Sequence, residues 1–243
     1  MKIQLFVTCL VDAVHPEIGE AMVAVLESLG MSINFPSEQT CCGQPGYNSG
    51  YHHETRPVVL RFLDTFDNTE GVIVTPSGSC AAMIQHGFPD LLSDDPTNLA
   101  RAESIAKRTY ELSQFLVHLL GVTNVGAHFD GKLTYHPSCH LLRGLGEQQA
   151  PLELLQQVDG ARIVPLPNAE ECCGFGGLFS IKMSPLSSEI ASRKTANIAA
   201  SGADVCVTCD AGCLMNIKGR LAHEGRQVQC IHLSQVLARH LVP

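Results

Sequence analysis

The sequence predicts an α/β protein of two duplicated lobes, each a parallel sheet flanked by helices. Two observations carry that expectation. Each half of the 243-residue chain alternates short apolar runs with longer helix-period segments, as strand–helix units feeding a parallel sheet do. One arrangement of cysteines is also written twice. Cys9 is followed after 31 residues by Cys41-Cys42-Gly43 and after 36 more by Cys80; Cys139 is followed after 32 residues by Cys172-Cys173-Gly174 and after 38 more by Cys213. The likeness extends beyond the thiols, since Val74-Thr75-Pro76-Ser77-Gly78-Ser79-Cys80 lies over Val207-Thr208-Cys209-Asp210-Ala211-Gly212-Cys213. Leu112-Ser113-Gln114-Phe115-Leu116 likewise lies over Leu233-Ser234-Gln235-Val236-Leu237. A period near half the chain is too long for a solenoid and reads as a duplication. The lobes are therefore assigned to residues 1–122 and 123–243, both Rossmann-like.

In the first lobe, Ile3–Thr8 reads as a buried strand and Pro16–Leu29 as a helix, with proline in its first turn and Gly30 just past its end. Ser32–Phe35 is a weaker strand leading into the Cys41-Cys42-Gly43 loop. His53–Phe66 has helical periodicity, Gly71–Thr75 is an apolar strand, and Cys80 opens the next helix. Asn98–Gly121 reads as one terminal helix that also marks the boundary. The second lobe repeats the plan: strand Leu133–His136, helix Glu147–Gln157 with Pro151 disturbing its start, and strand Arg162–Leu166. The Cys172-Cys173-Gly174 loop, helix Ser187–Ala200, strand Asp204–Thr208 and a helix from Gly212 follow. Strand Gln229–Ile231 and helix Leu233–His240 complete it.

Composition narrows the function. The formal charge is −8 with no basic block, which argues against nucleic acid as a partner. Apolar residues make up 45% of the chain, too many for a disordered one. No apolar stretch reaches the ~18 residues that span a bilayer, and the N-terminus lacks a basic-then-apolar leader pattern. A cytoplasmic protein without a transmembrane segment is expected. In a reducing compartment, eleven cysteines, eight of them in one repeated spacing, point to metal or redox chemistry rather than a disulfide framework.

The cysteines fall just after strands, at the carboxyl edge of a sheet, where open α/β folds bind ligands. If the two edges face each other, both sets line one central cleft. Soft thiolates select zinc or iron–sulfur clusters. Structural zinc favours Cys-x-x-Cys knuckles, and only Cys206-Val207-Thr208-Cys209 has that spacing. Adjacent cysteines diverge, which suits different irons of one cluster, and the following glycine lets the backbone turn sharply. The dense Cys-x-x-Cys-x-x-Cys run of ferredoxins is absent.

Other residues have two readings each. His136 and His140 flank Cys139 and suit hydrogen-bond donors to a cluster or proton relays, or are ordinary partly buried histidines. Arg143 can clamp a carboxylate or stand in solvent. Together these three are the weak candidates for catalytic residues. His52 and His53 read as surface residues, and Cys230 as a small buried hydrophobe. Gly174-Phe175-Gly176-Gly177 lacks the Gly-x-Gly-x-x-Gly spacing of a nucleotide loop.

The segments Val74–Cys80, His136-Pro137-Ser138-Cys139-His140, Cys172-Cys173-Gly174-Phe175-Gly176-Gly177 and Gly212-Cys213-Leu214-Met215-Asn216-Ile217 resemble the cysteine-rich, Cys-Cys-Gly domain family of iron–sulfur oxidoreductases. That family includes the B subunit of heterodisulfide reductase and iron–sulfur subunits of glycolate- and glycerol-3-phosphate-oxidising complexes. The resemblance is strongest to its lactate-utilization branch and covers nearly the whole chain. It implies an iron–sulfur subunit of a complex that oxidises L-lactate, a small 2-hydroxy acid, to pyruvate. Two other lactate-utilization subunits are implied as partners, one with ferredoxin-type clusters. In heterodisulfide reductase B subunits each motif supplies five thiolates to a noncubane four-iron cluster. This sequence departs from that, with Pro76 and Ser77 in the region of the extra cysteine and Met83 beyond Cys80. The first site is thus expected to use Cys9, Cys41, Cys42 and Cys80. The second would use Cys139, Cys172, Cys173 and Cys213, with Cys209 as a candidate fifth. The implied cofactors are iron–sulfur clusters, of 4Fe-4S type, with zinc in one site left open. Lactate oxidation removes a hydride equivalent, whereas clusters pass single electrons, and no dinucleotide fingerprint is visible. An electron-transferring oxidoreductase subunit is therefore the first expectation. A cluster-based disulfide or thiol reductase and a zinc-binding scaffold are the alternatives.

Overall fold

Apolar runs without polar alternation, such as Val-Ile-Val-Thr, belong in sheets covered on both faces, and the computed structural model, which describes residues 1–239, places them so. In the first lobe, strand β1 (Lys2–Leu5) leads into helices α1 (Cys9–Val14) and α2 (Pro16–Ser28), then β2 (Ser32–Asn34). Short α3 (Gln44–Tyr47) and long α4 (His52–Phe66) precede β3 (Val72–Thr75). After β3 come α5 (Gly78–Ala82), α6 (Phe88–Leu91) and α7 (Pro96–Lys107), then β4 (Thr109–Glu111) and α8 (Leu112–Gln114). All pairings are parallel in the order β2-β1-β3-β4, with Ile3 beside Ile33 and Leu5 beside Val74.

The second lobe repeats this. Strand β5 (His128–His136) is followed by α9 (Gln149–Gln156) and β6 (Asp159–Ile163), then α10 (Phe179–Lys182) and α11 (Ser184–Ala200). Strand β7 (Val205–Thr208), helix α12 (Ala211–His223), β8 (Gln229–His232) and α13 (Leu233–Leu237) complete it. Its parallel order, β6-β5-β7-β8, is the same as that of the first sheet. The expected duplicated α/β architecture is what the chain adopts.

The single helix expected over Asn98–Gly121 is not formed. Helix α7 ends at Lys107, Thr109–Glu111 pairs with β3 as a sheet edge, and a fresh helical turn starts at Leu112. The restart has a local cause: the Glu111 side chain accepts the Ser113 N–H, and the Gln114 side chain accepts the Glu111 N–H. This is a capping box written with acidic and amide residues in place of serine or threonine. The same box recurs at His232 and Gln235 before α13. Strand β6 also sits earlier than the expected Arg162–Leu166. Pro151 is tolerated because it lies in the first turn of α9, where backbone N–H groups have no partner in the helix. The expected end of the last helix, His240, lies outside the described residues.

One apolar cluster joins the two sheets. It contains Ile3, Leu5, Met22 and Phe115 from one side and Leu133, Tyr135, Val205 and Val236 from the other, with α2 packed on α13. Each fully buried side chain of this size contributes about 1.5–3 kcal/mol. A second cluster holds Phe6 edge-on to Phe62 at 4.9 Å, behind the first cysteine set.

Candidate metal centres

Parallel strands all end at one edge, and the cysteines are carried there. Cys9 begins α1 directly after β1, and Cys80 lies in α5 directly after β3. Thr8, the residue before Cys9, has a φ of 79°, a conformation that β-branched residues rarely adopt. The Cys41-Cys42 loop closes the set through Gly43, whose φ is 84° and whose N–H donates to Cys41 Sγ at 3.3 Å. The sulfur of Cys9 lies 3.5 Å from that of Cys41, and Cys42 lies 3.3 Å from Cys80.

The second set copies this geometry. Gly174 has a φ of 86° and its N–H donates to Cys172 Sγ at 3.2 Å. Cys139 hydrogen-bonds Cys172, and Cys173 Sγ lies 3.2 Å from Cys213 Sγ. Asn216 Nδ2 donates to the Cys173 carbonyl at 2.7 Å, and Ser187 Oγ to the Gly174 carbonyl at 2.7 Å, which pins the loop. Cys139 opens a π-helical turn, His140–Gly144, and a π turn over Met83–Gly87 follows Cys80. Single π turns of this kind occur frequently at functional sites.

All eleven cysteines are free thiols. Hydrogen bonds from Cys42 and Cys9, and then from the Gly43 N–H, pull the Cys41 thiol down to about 3. Cys139, Cys173 and the Gly174 N–H do the same for Cys172, to about 2. Each set thus presents a thiolate to which the other three thiols are joined in a chain. That donor chemistry fits a thiophilic metal or cluster, because coordination releases the remaining thiol protons.

The first set lines a cavity of about 340 Å3, the second one of about 70 Å3. The two cavities share Gln44, Ser79, Phe175, Gly177 and Asp210 as walls. Asp210 sits at the centre of this partition. Its carboxylate accepts the Ser79 N–H at 3.0 Å and the Ser77 hydroxyl at 3.1 Å from the first lobe, and the Gly212 N–H at 3.0 Å from its own helix.

His136 ends β5 and is fully buried with neither ring nitrogen hydrogen-bonded. Each such atom ordinarily costs about 1–3 kcal/mol. Its ring, Cys173 Sγ and Cys213 Sγ offer ligand atoms within 4.8 Å of one another, the only such His/Cys/Asp/Glu group among the described residues. Burial, and then the nearby Lys194 ammonium, push the imidazole down to about 3, so it is neutral at pH 7.

The CCG cysteine-rich domain model matches residues 3–85 and 133–218. The chain belongs to that family. Within the CCG family, lactate utilization protein A of Halalkalibacterium halodurans is 48% identical over 98% of this chain and 96% of that protein. The proteins of that name from Anoxybacillus flavithermus and Exiguobacterium sp. are each 50% identical, over 98% and 97% of this chain and 99% and 96% of theirs. Among solved structures, a glutamate racemase of Bacillus anthracis covers 98% of this chain and 77% of its own at 12% identity, with a TM-score of only 0.35.

Residues outside the paired thiols of this CCG chain are distributed unevenly. His140 is half-buried and lines the second cavity. Arg143 is exposed, and its guanidinium donates to the Glu170 carbonyl at 3.0 Å. Cys209 is buried with its sulfur 3.7 Å from the Tyr135 hydroxyl, outside the lining of the second cavity. Cys230 is buried beside Cys206 on the neighbouring strand, and His52 and His53 are exposed at the start of α4. Sequence reading missed Asp210, although its position two residues before Gly212 at a helix start is the ordinary mark of an N-cap. It also missed Lys194, which is fully buried and donates to the Asn168 and Ala169 carbonyls at 3.2 and 3.0 Å.

Proposed function

We propose that each lobe holds a thiolate-bound iron–sulfur cluster of 4Fe-4S type. On this reading the chain is the electron-transferring subunit of a cytoplasmic complex that oxidises L-lactate. The lobes are residues 1–122 and 123–243, and the partners are two further lactate-utilization subunits. When bound, such a cluster supplies one-electron redox chemistry at potentials set by its ligands and surroundings. Cys9, Cys41, Cys42 and Cys80 hold the first, and Cys139, Cys172, Cys173 and Cys213 the second. Asp210 fixes the separation of the two sets, and Gly43 and Gly174 direct their N–H groups at the ligand sulfurs.

The observation that carries the reading is the recurrence of one four-thiol arrangement on both sides of a shared wall, in a chain about half identical to proteins named for lactate utilization. The cavity linings add a second argument. Among the described residues neither is lined by lysine or arginine, and both contain Asp210. A 2-hydroxy acid carboxylate finds no cation there, which favours electron relay over lactate binding at this site. No helix of the described chain is long and apolar enough to cross a membrane.

The test is iron, zinc and acid-labile sulfide per chain on protein purified without oxygen, with low-temperature EPR on the same sample. Iron and sulfide of about eight each per chain are expected from two four-iron clusters. Zinc without sulfide would sink the redox role. Replacing Cys172 or Cys173 by alanine should remove visible iron–sulfur absorbance and growth on L-lactate together. A second reading, thiol or disulfide reduction on a cluster, is favoured by the size of the apolar first cavity and by exposed Cys9 in its lining. Thiol-dependent turnover by the isolated chain would establish it.

A further inference from the structure

The two thiol sets are near copies, but the residues behind them are not. Three positions before the first cysteine of each set stands Phe6 in one lobe and His136 in the other. Phe6 is closed into an aromatic stack, 4.9 Å from Phe62 and 5.9 Å from Phe66, and offers nothing to a metal. His136 occupies the matching place at the end of β5, where a fully buried imidazole has both nitrogens free of hydrogen bonds. Native interiors leave few side-chain polar atoms in that condition unless a water, ion or ligand completes them. Its neighbours do not complete it. The Lys194 ammonium is a donor, and its protons are directed at the Asn168 and Ala169 carbonyls. The ring instead lies against the sulfurs of Cys173 and Cys213, with all three ligand atoms inside 4.8 Å.

We propose that His136 is a direct ligand of the second centre, giving it a mixed nitrogen–sulfur donor set that the first centre lacks. The inference rests on the second thiol set holding a metal or cluster. Imidazole and thiolate together suit zinc and iron alike, so the ligand assignment stands whichever of these the site carries. The ring's other nitrogen faces the same need for a partner that metal-bound histidines generally meet with a nearby acceptor. Thr208, the register partner of His136 on β7, has a buried hydroxyl that is also without a partner. Replacement of Phe6 by histidine in the duplicated frame thus differentiates two otherwise equivalent sites.

The test uses the full chain purified without oxygen, with iron and zinc quantified and X-ray absorption recorded at the edge of each metal found. Imidazole ligation adds outer-shell scattering that thiolates do not give. The wild type and His140→Ala should show it, and His136→Phe, which installs the first lobe's residue, should lose it. His136→Gln serves if the phenylalanine variant does not fold, with the same loss expected. A metal-loaded wild type with a sulfur-only shell overturns the ligand assignment alone. So does an imidazole signal unchanged in a folded His136 variant. A chain that binds neither metal overturns the metal-centre reading itself, and with it this inference.

Discussion

Replacing Glu111 by glutamine should change the pH dependence of stability more than its size at any one pH. Glu111 ends the edge strand of the first sheet and is fully buried. One carboxylate oxygen accepts from the N–H and hydroxyl of Ser113, while the other is buried without a partner. Burial raises the carboxyl from 4.5 to about 7, against the Ser113 hydrogen bonds that favour the charged form. The Glu147 carboxylate pushes the same way, and Tyr135 and Cys209 also lie within electrostatic reach. A raised carboxyl binds its proton more tightly in the folded chain, so its contribution is fully present below the unfolded value. It is lost as pH rises through the folded one.

The shift from 4.5 to about 7 corresponds to roughly 3 kcal/mol in all, of which about 2.5 kcal/mol is lost between pH 5 and 8.5. Glutamine does not titrate. Its amide leaves a buried donor unpartnered at a cost of about 1–3 kcal/mol, but that cost is independent of pH. Urea unfolding of both proteins across this range should therefore show the stability difference moving by about 2.5 kcal/mol in favour of Glu111→Gln as pH rises. All other titrating groups are common to the two and cancel. A difference that stays flat to within about 0.5 kcal/mol, the usual scatter of additive comparisons, would refute the argument that this carboxyl is ionised against its burial.

Gly174→Ala forces a side chain into a left-handed turn with its Cβ 2.6 Å from the Ser187 carbonyl. It should cost more than the ~1–2 kcal/mol of the backbone conformation alone and lower metal content. Gly121→Ala, at φ 68° with open space around it, should cost only the conformational part; urea midpoints and metal analysis compare the two. Asp210→Ala removes a helix cap and leaves first-lobe donors unmet, for an expected loss of about 2–4 kcal/mol in chemical denaturation. Glu224 gains more from Arg226, Thr195, Ser192 and Arg220 than it loses to burial, and its carboxylate is held down to about 2. That stability is present above pH ~4.5 and lost as pH falls through ~2, so Glu224→Gln should cost about 1–3 kcal/mol at pH 7 and close to nothing at pH 2.

Much of this architecture could be read from residue order because duplication made each half a check on the other. A run such as Val72–Thr75 is ambiguous alone, but its echo at Val205–Thr208, with a cysteine helix following each, identifies both as strands. The alternate glycines were legible for the same reason, since Cys-Cys-Gly recurs and only glycine suits the φ of 84° and 86° found there. The fourth strand of the first lobe was not legible. Three residues carry too little periodicity, and Thr109–Glu111 lies between helical segments that read as continuous. What betrays it is the likeness of Leu112–Leu116 to Leu233–Leu237, where a strand precedes the helix. Asp210 escaped for another reason, and His136, singled out only as a neighbour of Cys139, was not foreseen beside Cys173 and Cys213. Their importance lies in what they meet across the fold, Ser77 and Ser79 for one and two sulfurs for the other, and sequence spacing carries no record of that.

One duplicated position has diverged where the lobes touch. Ser77 caps α5 by accepting the Cys80 N–H at 3.2 Å, and its counterpart Asp210 caps α12. Asp210 also takes Ser77 and Ser79, so the helices bearing Cys80 and Cys213 are tied at their first turns through one carboxylate. Two more bonds cross at equivalent places: the Gly78 N–H donates to the Cys209 carbonyl at 3.2 Å, and His232 Nε2 meets the Pro76 carbonyl at 2.9 Å. Gly78 has no room for even a methyl group, since a Cβ there would stand 2.6 Å from that of Leu141 in the turn after Cys139. Neither lobe can shift its cysteine helix without breaking buried hydrogen bonds in the other. Two independent metal-binding lobes would have no need of such wiring, because each thiol set is already complete within its own half. On the proposed function, these reciprocal bonds hold constant the distance between the two sets, the quantity on which exchange of an electron between two bound clusters would depend.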